Sequence, residues 1–181
     1  MPTYVALLRG INVGQNVLKM DRLRQLCAQI GLKNVQTYVQ SGNVVFEADG
    51  AAAKWAQALE RKLGGETRLP VTVLVRTAAE MKRVLAGNPF AKEKGIDFAR
   101  VGVVFLHAVP SEGTLNKMRA VDIGNERFHC AGREIYIHCP DGFARTKLYS
   151  LDKILAQQTT TRNWNTVTKL CAMCGSPATG A

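Results

Sequence analysis

The fold can be worked out from one central stretch of the chain, Val35-Gln36-Thr37-Tyr38-Val39-Gln40-Ser41-Gly42-Asn43-Val44-Val45-Phe46-Glu47. Two runs rich in β-branched and aromatic residues, 35–40 and 43–47, are separated by the turn-forming pair Ser41-Gly42. Such residues favour extended backbone, and two runs joined by a short turn are typical of a β-hairpin. A helical pattern lies on each side of the hairpin, so the order of elements around it defines the fold.

The helix before the hairpin is predicted from about residue 20 to residue 30, and Gly31 ends it. Its apolar residues recur every three or four positions, as they do on the buried face of an amphipathic helix. The helix after the hairpin is predicted over about 51–63 by the same spacing, and the pair Gly64-Gly65 ends it.

Strands are predicted at both ends of this region, at about 3–9 and 70–75. The first is apolar on both faces, which favours a central place in a sheet. The resulting order is βαββαβ, the split βαβ arrangement of ferredoxin-like folds. Thr77 and Glu80 then form a capping box that opens a short helix, which stops before Gly87-Asn88-Pro89.

A segment of mixed charge and no clear period, 88–100, is the predicted linker, and the pattern restarts after it. The predicted elements that follow are a strand at 101–106, a helix capped by Ser111, a hairpin with arms 126–130 and 133–139, and helices at about 147–156 and 163–174.

The sequence therefore predicts an α+β protein of two ferredoxin-like βαββαβ-type halves packed together, a structural duplication inferred from element order alone. The halves are predicted as residues 1–87 and 101–181, and the second carries an extra C-terminal helix. A chain of 181 residues has the length for one domain or for two small ones.

The net charge of the chain is +10, and its two ends carry most of the excess. Residues 1–46 hold five Lys/Arg and one acid, a net +4. Residues 47–126 hold twelve Lys/Arg and ten acids, and residues 127–181 hold seven and three, giving +2 and +4. If the ends meet, they form a positive surface that attracts phosphate or carboxylate; otherwise the charges are those of a scattered basic surface.

Composition favours a cytoplasmic protein that has no membrane partner. No apolar run reaches the roughly 18 residues of a membrane helix. The N-terminus begins with a strand-like run and lacks the basic region and cleavage site of a signal peptide. Five cysteines, an odd number, favour free thiols in a reducing compartment.

Two cysteine patterns are better explained by packing than by chemistry. Cys171 and Cys174 form a C-x-x-C at the far end of a predicted helix, where the helix dipole opposes a thiolate. In the second hairpin, strand alternation places Cys130 with the core and His129 on the opposite face. We therefore expect no metal site there, and no residue pattern indicates a particular cofactor.

Two glycine-containing loops that lead into helices are the candidate anion sites. The first contains Arg9, Gly10, Asn12, Gly14 and Lys19, and leaves the end of a predicted central strand. It lacks the spacing of a P-loop or a dinucleotide fingerprint, and a structural turn is the alternative. The second contains Arg145 and Lys147 after Gly142. Both could present cations and amide donors to one anion.

The segment Thr160-Thr161-Arg162-Asn163-Trp164-Asn165-Thr166 combines one aromatic, one cation and five polar side chains. Its spacing predicts Thr161 as the N-cap of the last helix, with Trp164 facing inward. This leaves Arg162, Asn163 and Asn165 as polar groups that face either the first glycine loop or a ligand.

Several of these sequence motifs resemble those of the bacterial domain-of-unknown-function 1697 family. The most specific are Arg9-Gly10-Ile11-Asn12-Val13-Gly14 and Thr161-Arg162-Asn163-Trp164-Asn165-Thr166; Asn88-Pro89-Phe90 and Arg145-Thr146-Lys147-Leu148 also match, with Thr146 where the family more often has serine. The resemblance implies two intertwined α+β units with ferredoxin-like features. It implies no established activity.

Three hypotheses of function follow, and the sequence leaves all of them open. The first is a binding module for an anionic ligand, a nucleotide, a nucleic acid or a phosphorylated or carboxylated metabolite. The second is an enzyme on a small anionic metabolite, although no general base is evident. The third is a structural or oligomerising protein in which these sequence motifs stabilise the fold. A nucleic-acid partner of the RNA-recognition type lacks its full aromatic set.

Overall fold

A computed structural model of the chain describes residues 1–12, 17–39 and 42–175. Over these residues, none of the helices combines the length and the apolar character needed to cross a membrane. The predicted site residue Gly14 and the predicted turn residue Ser41 lie outside the described ranges.

The first sheet is built from the split βαβ order that the sequence predicts. The elements are β1 Thr3–Arg9, α1 Met20–Gln29, β2 Lys33–Tyr38, β3 Asn43–Glu47, α2 Ala52–Thr67 and β4 Thr72–Thr77. The strands are antiparallel in the order β2-β3-β1-β4. This order is compatible with a ferredoxin-like unit, because each helix connects strands that are separated by one other strand.

The second sheet repeats the order of the first. The helix α3, Ala78–Ala86, precedes it. The elements of the repeat are β5 Val101–Leu106, α4 Glu112–Arg119, β6 Arg127–Ala131, β7 Glu134–His138, α5 Leu151–Leu155 and β8 Thr159–Asn163, followed by α6 Trp164–Met173. The antiparallel strands lie in the order β6-β7-β5-β8, so β6 corresponds to β2 and β8 to β4. The predicted class, α+β with two similar halves, is therefore confirmed.

The chain divides into two compact units that do not follow the two halves of the sequence completely. The first unit contains Met1–Arg83 and the C-terminal residues from Lys169 onward, and the second contains Val84–Thr168. The predicted linker, 88–100, lies within the second unit and ends in a short 3₁₀ turn at Phe98–Arg100. The predicted domain boundary itself stays a prediction.

Each unit has its own apolar core between its sheet and its helices. In the first unit, the inward residues of β1 and β3 pack with α1 and α2 around Leu23, Phe46 and Leu59. In the second unit, Ile135 and Ile137 of β7 pack with Met118 of α4 and with α5. Burying one side chain of this size stabilises the folded state by roughly 1.5–3 kcal/mol.

Several predicted boundaries and caps agree with the structure. Ser111 accepts a hydrogen bond from the Thr114 amide, as an N-cap should. Thr77 and Glu80 form the predicted capping box, in which each backbone amide donates to the other residue's side chain, at 2.7 and 3.1 Å. Gly31 follows α1 with a φ of +87°, the left-handed conformation that ends a helix.

Two helix predictions were wrong in extent. The pair Gly64-Gly65 does not end α2, which continues to Thr67 and is closed by Arg68 in a left-handed conformation. Packing of the preceding apolar face outweighs the cost of two glycines, about 1 kcal/mol each. The predicted helix at 147–156 is only a 3₁₀ turn followed by the short α5, Leu151–Leu155.

The largest correction concerns the segment before the last helix. Thr159–Asn163 is β8, paired along its length with β5, so Thr161 is not an N-cap. The cap is Asn163, whose Oδ1 accepts a 2.8 Å hydrogen bond from the Thr166 amide. Trp164 is buried, as predicted. The threonine run suits a strand because β-branched residues fit a pleated surface, and the fourth strand completes the βαββαβ order of the second unit.

Candidate functional site

Two of the predicted site residues of the first unit, Gly10 and Asn12, are held by close contacts within the chain. Gly10 has a φ of +91°, and a Cβ there would lie 2.6 Å from the Pro70 carbonyl oxygen, so only glycine fits. The Asn12 side chain accepts a 2.6 Å hydrogen bond from the Leu18 amide and closes the loop. Arg9 and Lys19 are exposed at the two ends of this segment.

The predicted site residues of the second unit fall into exposed and buried groups. Arg145, Lys147 and Asn165 are exposed. The backbone amide of Lys147 donates to the Glu126 carboxylate at 3.0 Å, so an acid accompanies this cation. Asn163 is exposed but uses its side-chain oxygen as the cap of α6. The ligand-binding role of these residues stays a prediction.

Arg162 is buried, with 8% of its surface exposed, on the face of β8 opposite the α4 and α5 core. Its guanidinium donates to the Thr160 hydroxyl at 2.7 Å and to the Thr161 carbonyl at 2.8 Å. Burial lowers the pKa of Arg162 to about 10, which still leaves it charged at neutral pH. These two hydrogen bonds hold the guanidinium against its own strand, and the ligand-binding role of Arg162 stays a prediction.

A groove of about 510 Å³ lies in the second unit. This volume lies within the range of small-ligand sites. We call it the edge groove, and its lining residues come from the segment before β5, from α4 and the loop after it, and from β6: Pro89, Phe90, Leu115, Arg119, Ile123, Arg127, Phe128, His129 and Cys130.

The edge groove runs along the free edge of β6. Four consecutive residues of β6, Arg127 to Cys130, line it, and consecutive residues point to opposite faces of a sheet. A groove that is lined by side chains from both faces of the sheet must therefore lie beside the strand. Leu115 and Arg119 contribute from the core face, where Phe128 and Cys130 point, and Phe90 contributes from the face of Arg127.

In an antiparallel sheet, alternate residues of a strand hydrogen-bond to the neighbour on one side and the rest to the neighbour on the other. This alternation shows which backbone groups of β6 face the groove. The Leu106 amide donates to the Arg133 carbonyl at 2.8 Å, and the Cys139 amide donates to the Arg100 carbonyl at 2.9 Å. Odd-numbered positions along β7 thus bond to β5, and even-numbered ones bond to β6. Their partners on β6 are Arg127, His129 and Ala131. The N–H and C=O groups of Phe128 and Cys130 consequently point away from β7, toward the groove.

Arg127 is the centre of a charged cluster at one rim of the edge groove. Its guanidinium forms a two-point ion pair with Glu93, at 3.0 and 2.8 Å, and contacts His138 Nδ1 at 3.2 Å. It also lies over the Phe90 ring, 4.9 Å from the centroid. The hydrogen bond from Arg127 lowers the pKa of Glu93, and burial together with the Arg127 charge lowers the pKa of His138.

Arg119 occupies the other rim. Its Nη1 donates to Glu112 at 2.6 Å and to Asn116 at 2.9 Å, both on α4. Cys130 lies between the two rims, and burial raises the pKa of its thiol. A protonated thiol is a weak nucleophile, so this site is suited to binding rather than to thiol chemistry.

The next feature is the placement of the remaining cysteines and of His129, which were predicted in the core and on the opposite face of the sheet, respectively. Cys139 belongs to the second core, and burial raises the pKa of the thiols of Cys171 and Cys174, the latter to about 11. His129 is exposed on the face opposite Cys130, as alternation predicts. Within residues 1–12, 17–39 and 42–175, no group of three or more His, Cys, Asp or Glu side chains could hold a metal ion.

Sequence reasoning did not identify Arg119, Arg127 or Phe90 as site residues. The signal that could have found them is the position of β6: the first arm of the second hairpin is an edge strand in the βαββαβ order, and it carries Arg127 and His129 on one face. Among the described residues, no strand pairs with the outer edge of β6, and the groove follows that edge rather than a sequence motif.

Comparisons with known proteins agree with the fold and name no activity. A family model described as "Protein of unknown function (DUF1697)" matches residues 1–136. The conserved bacterial protein SP0830 from Streptococcus pneumoniae has a solved structure similar to this chain, with a TM-score of 0.80 and 22% sequence identity over 97% of this chain and 99% of that chain. At this identity the likeness concerns the fold. No curated protein sequence matches the chain.

Proposed function

We propose that this chain, which belongs to the DUF1697 family of proteins of unknown function, is a binding module for an anionic ligand with an apolar part. The ligand lies in the edge groove. The observation that carries this proposal is the composition of the groove: an apolar floor between two guanidinium groups, with no carboxylate among its described lining residues.

The two arginines keep hydrogen-bonding capacity for an anion. A guanidinium has five N–H donors. In the described part of the chain, the contacts to Glu93 and His138 use three donors of Arg127, and those to Glu112 and Asn116 use two of Arg119. The acids also fix the two side chains in place, so less rotamer entropy is lost when a ligand binds.

Under this proposal, the sequence motifs that were predicted to bind the ligand instead maintain the fold that presents the groove. Asn12, Arg162 and Asn163 each bond to the chain itself: a loop closure, a strand contact and a helix cap. This supports the structural hypothesis for those residues and moves the binding surface away from them.

A cytoplasmic location is part of the same proposal. All five cysteines are free in the structure, and free thiols persist in reducing compartments. Burial favours their protonated form, which limits oxidation.

The test is a fluorescence titration with anilinonaphthalenesulfonate, an aromatic system that carries one sulfonate. We expect saturable binding that weakens about tenfold in the Arg119→Gln/Glu112→Gln and Arg127→Gln/Glu93→Gln double variants, because each loses one charge-assisted hydrogen-bonding partner of the sulfonate. Each double variant also removes the acid that pairs with the arginine, so that no unpaired acid repels the probe.

Arg145→Gln is the matched control, since it removes an exposed cation outside the groove. Its dissociation constant should equal that of the wild type. If Arg145→Gln weakens binding while the groove variants do not, the ligand binds at the motif-bearing segments and the edge groove is not the site.

A further inference from the structure

The main-chain groups of β6 give the edge groove a feature that a pocket for a compact small molecule does not need. The N–H and C=O groups of Phe128 and Cys130 face the groove, as the phase of the β5–β7–β6 ladder requires. In the described part of the chain, the backbone of neither residue bonds outside the sheet. Two donors and two acceptors thus lie in a row at strand spacing.

The five residue pairs between β6 and β7 run without interruption, from Arg127 opposite His138 to Ala131 opposite Glu134. A regular edge of this kind is a template for another strand. Edge strands that avoid such pairing carry a bulge, a proline or a covering element. β6 contains neither a bulge nor a proline, and a groove lies where a cover would be.

We infer that the ligand of the edge groove is an extended peptide segment that adds to β6 as a fifth strand, with apolar and acidic residues in alternation. This inference rests on the proposed function and identifies the class of ligand. Main-chain pairing supplies affinity in this mode of recognition, and alternate side chains supply specificity.

The two walls of the groove determine the alternation. Peptide side chains on the core face of the sheet meet Leu115, Ile123 and Phe128, an apolar surface with the Arg119 guanidinium at its rim. Side chains on the opposite face meet Arg127 and His129. A strand whose successive residues point to opposite faces is therefore complementary when apolar residues alternate with acids.

Charge favours such a peptide over a second copy of this chain. The β6 hairpin carries Arg127 on its edge strand and Arg133 in its turn, and Arg119 lies at the rim. A second β6 strand, whose residues Arg127–Ala131 include no acid, would bring no carboxylate to the donors that Glu93 and Glu112 leave unused on Arg127 and Arg119. An acidic segment instead meets opposite charge.

The probe is a fluorescein-labelled, acetylated and amidated heptapeptide of alternating valine and glutamate, followed by anisotropy with the full chain. The control is the same peptide with lysine in place of glutamate. We expect saturable binding of the glutamate peptide and at least tenfold weaker binding of the lysine peptide. Equal affinity for the two would overturn the inference.

Main-chain pairing is tested with two further peptides, N-methylated at the odd-numbered or at the even-numbered positions. A paired strand directs alternate amides to its neighbour, so one pattern should abolish binding and the other should leave it within about threefold of the parent. If both patterns bind like the parent, or if neither binds, the peptide does not pair as a strand.

On the protein side, Cys130→Pro removes an N–H that faces the groove, whereas Cys130→Ala keeps it. Proline is tolerated where the N–H of an edge strand faces solvent. The proline variant should lose at least tenfold in affinity relative to the alanine variant. Should Cys130→Pro not fold, the N-methylated pair still decides the question.

Dye and peptide titrations separate this inference from the proposed function. Dye binding without peptide binding overturns the strand addition and leaves the anion groove in place, and loss of both removes both. Sedimentation of the unliganded chain gives the last outcome: a dimer of 19.8 kDa subunits that Cys130→Pro dissociates would identify a second copy as the occupant and overturn the peptide.

Discussion

The edge strands β2 and β6 hold the same place in their sheets but differ in regularity. The register of β2 against β3 shifts between Lys33 and Gln36, and Asn34 has a φ of +49°. A bulge of this kind twists an edge away from further pairing. β6 pairs with β7 residue by residue and lies beside the edge groove. The outer strand on this side of the sheet is thus interrupted in the first unit and regular in the second.

The equivalent strands β4 and β8, by contrast, share a feature that the topology does not require. Arg76 on β4 is opposite Val5, the third residue of β1, and Arg162 on β8 is opposite Val103, the third residue of β5. Both arginines are buried, and each donates to the carbonyl of the residue before it, at 3.2 and 2.8 Å. The two units therefore match at their buried arginines and differ at their edges.

This contrast indicates where each unit is constrained. A buried arginine must keep its hydrogen-bond partners, because a desolvated charge without them is costly. An edge strand exchanges main-chain partners with water, so it can be bulged or regular at little cost to the core. Binding is therefore more easily acquired at an edge, and the regular edge of β6 is where we place it.

The largest expected effect is on stability, from Arg162→Ala and Arg76→Ala. Each removes a large buried side chain and leaves its acceptors unpaired, so each should lower the free energy of unfolding by about 3 kcal/mol. Urea unfolding followed by circular dichroism measures this, with Arg145→Ala as an exposed control. If only Arg76→Ala is destabilising, the two arginines are not equivalent and Arg162 returns as a ligand-binding candidate.

The regularity of β6 predicts opposite outcomes for proline at neighbouring positions. His129→Pro removes an N–H that bonds to β7 and should cost about 2 kcal/mol or more, whereas Cys130→Pro removes one that faces the groove and should cost less than about 1 kcal/mol. Thermal unfolding of both variants checks the phase of the ladder. Equal losses of stability in the two variants would mean that the amide of Cys130, like that of His129, does not point to the outer edge of the sheet.

The bulge of β2 predicts a smaller difference between the two edges. Asn34→Val puts a β-branched residue at a positive φ and should cost about 1–2 kcal/mol, while Asn34→Gly should cost less. The equivalent strand has no such position, so His129→Val should be close to neutral. A neutral Asn34→Val would mean that β2 can become regular, and the two edges would then differ only in side chains.

The smallest expected effect is a pH dependence from the rim cluster of Arg127, Glu93 and His138. The pKa of His138 is below its ordinary value of 6.5 because of burial and the neighbouring Arg127. The unfolded chain therefore binds the proton more readily, and stability should fall as pH falls through that ordinary value. The lowered pKa of Glu93 gives a further loss in the same direction below its ordinary value of 4.5.

Replacing His138 with Gln should reduce the slope of stability against pH between about 7 and 5. Among the residues described, β2 of the first unit has no such cluster. The control is therefore taken from the second unit: His107→Gln replaces a histidine that lies outside the cluster. An unchanged slope in His138→Gln would show that the cluster does not contribute.

Local patterns were sufficient for most of the fold. A continuous apolar run predicted β1, strand-forming residues around turn pairs predicted both hairpins, helical spacing predicted α1, and side-chain chemistry predicted the caps at Ser111 and Thr77. β8 was missed because its residues, Thr-Thr-Thr-Arg-Asn, are polar as well as β-branched, and their assignment depends on pairing with β5. The end of α2 was missed because packing outweighed two glycines.

The candidate site shows the same division. Periodicity within a few residues was enough to predict the element order of the first unit, the two similar halves and the outward face of His129. The burial of Arg162, the strand β8, the regular outer edge of β6 and the positions of Phe90 and Arg119 at its two sides became known from the packing of the chain. Those facts depend on which distant segments pack together, and no local pattern of side chains specifies that.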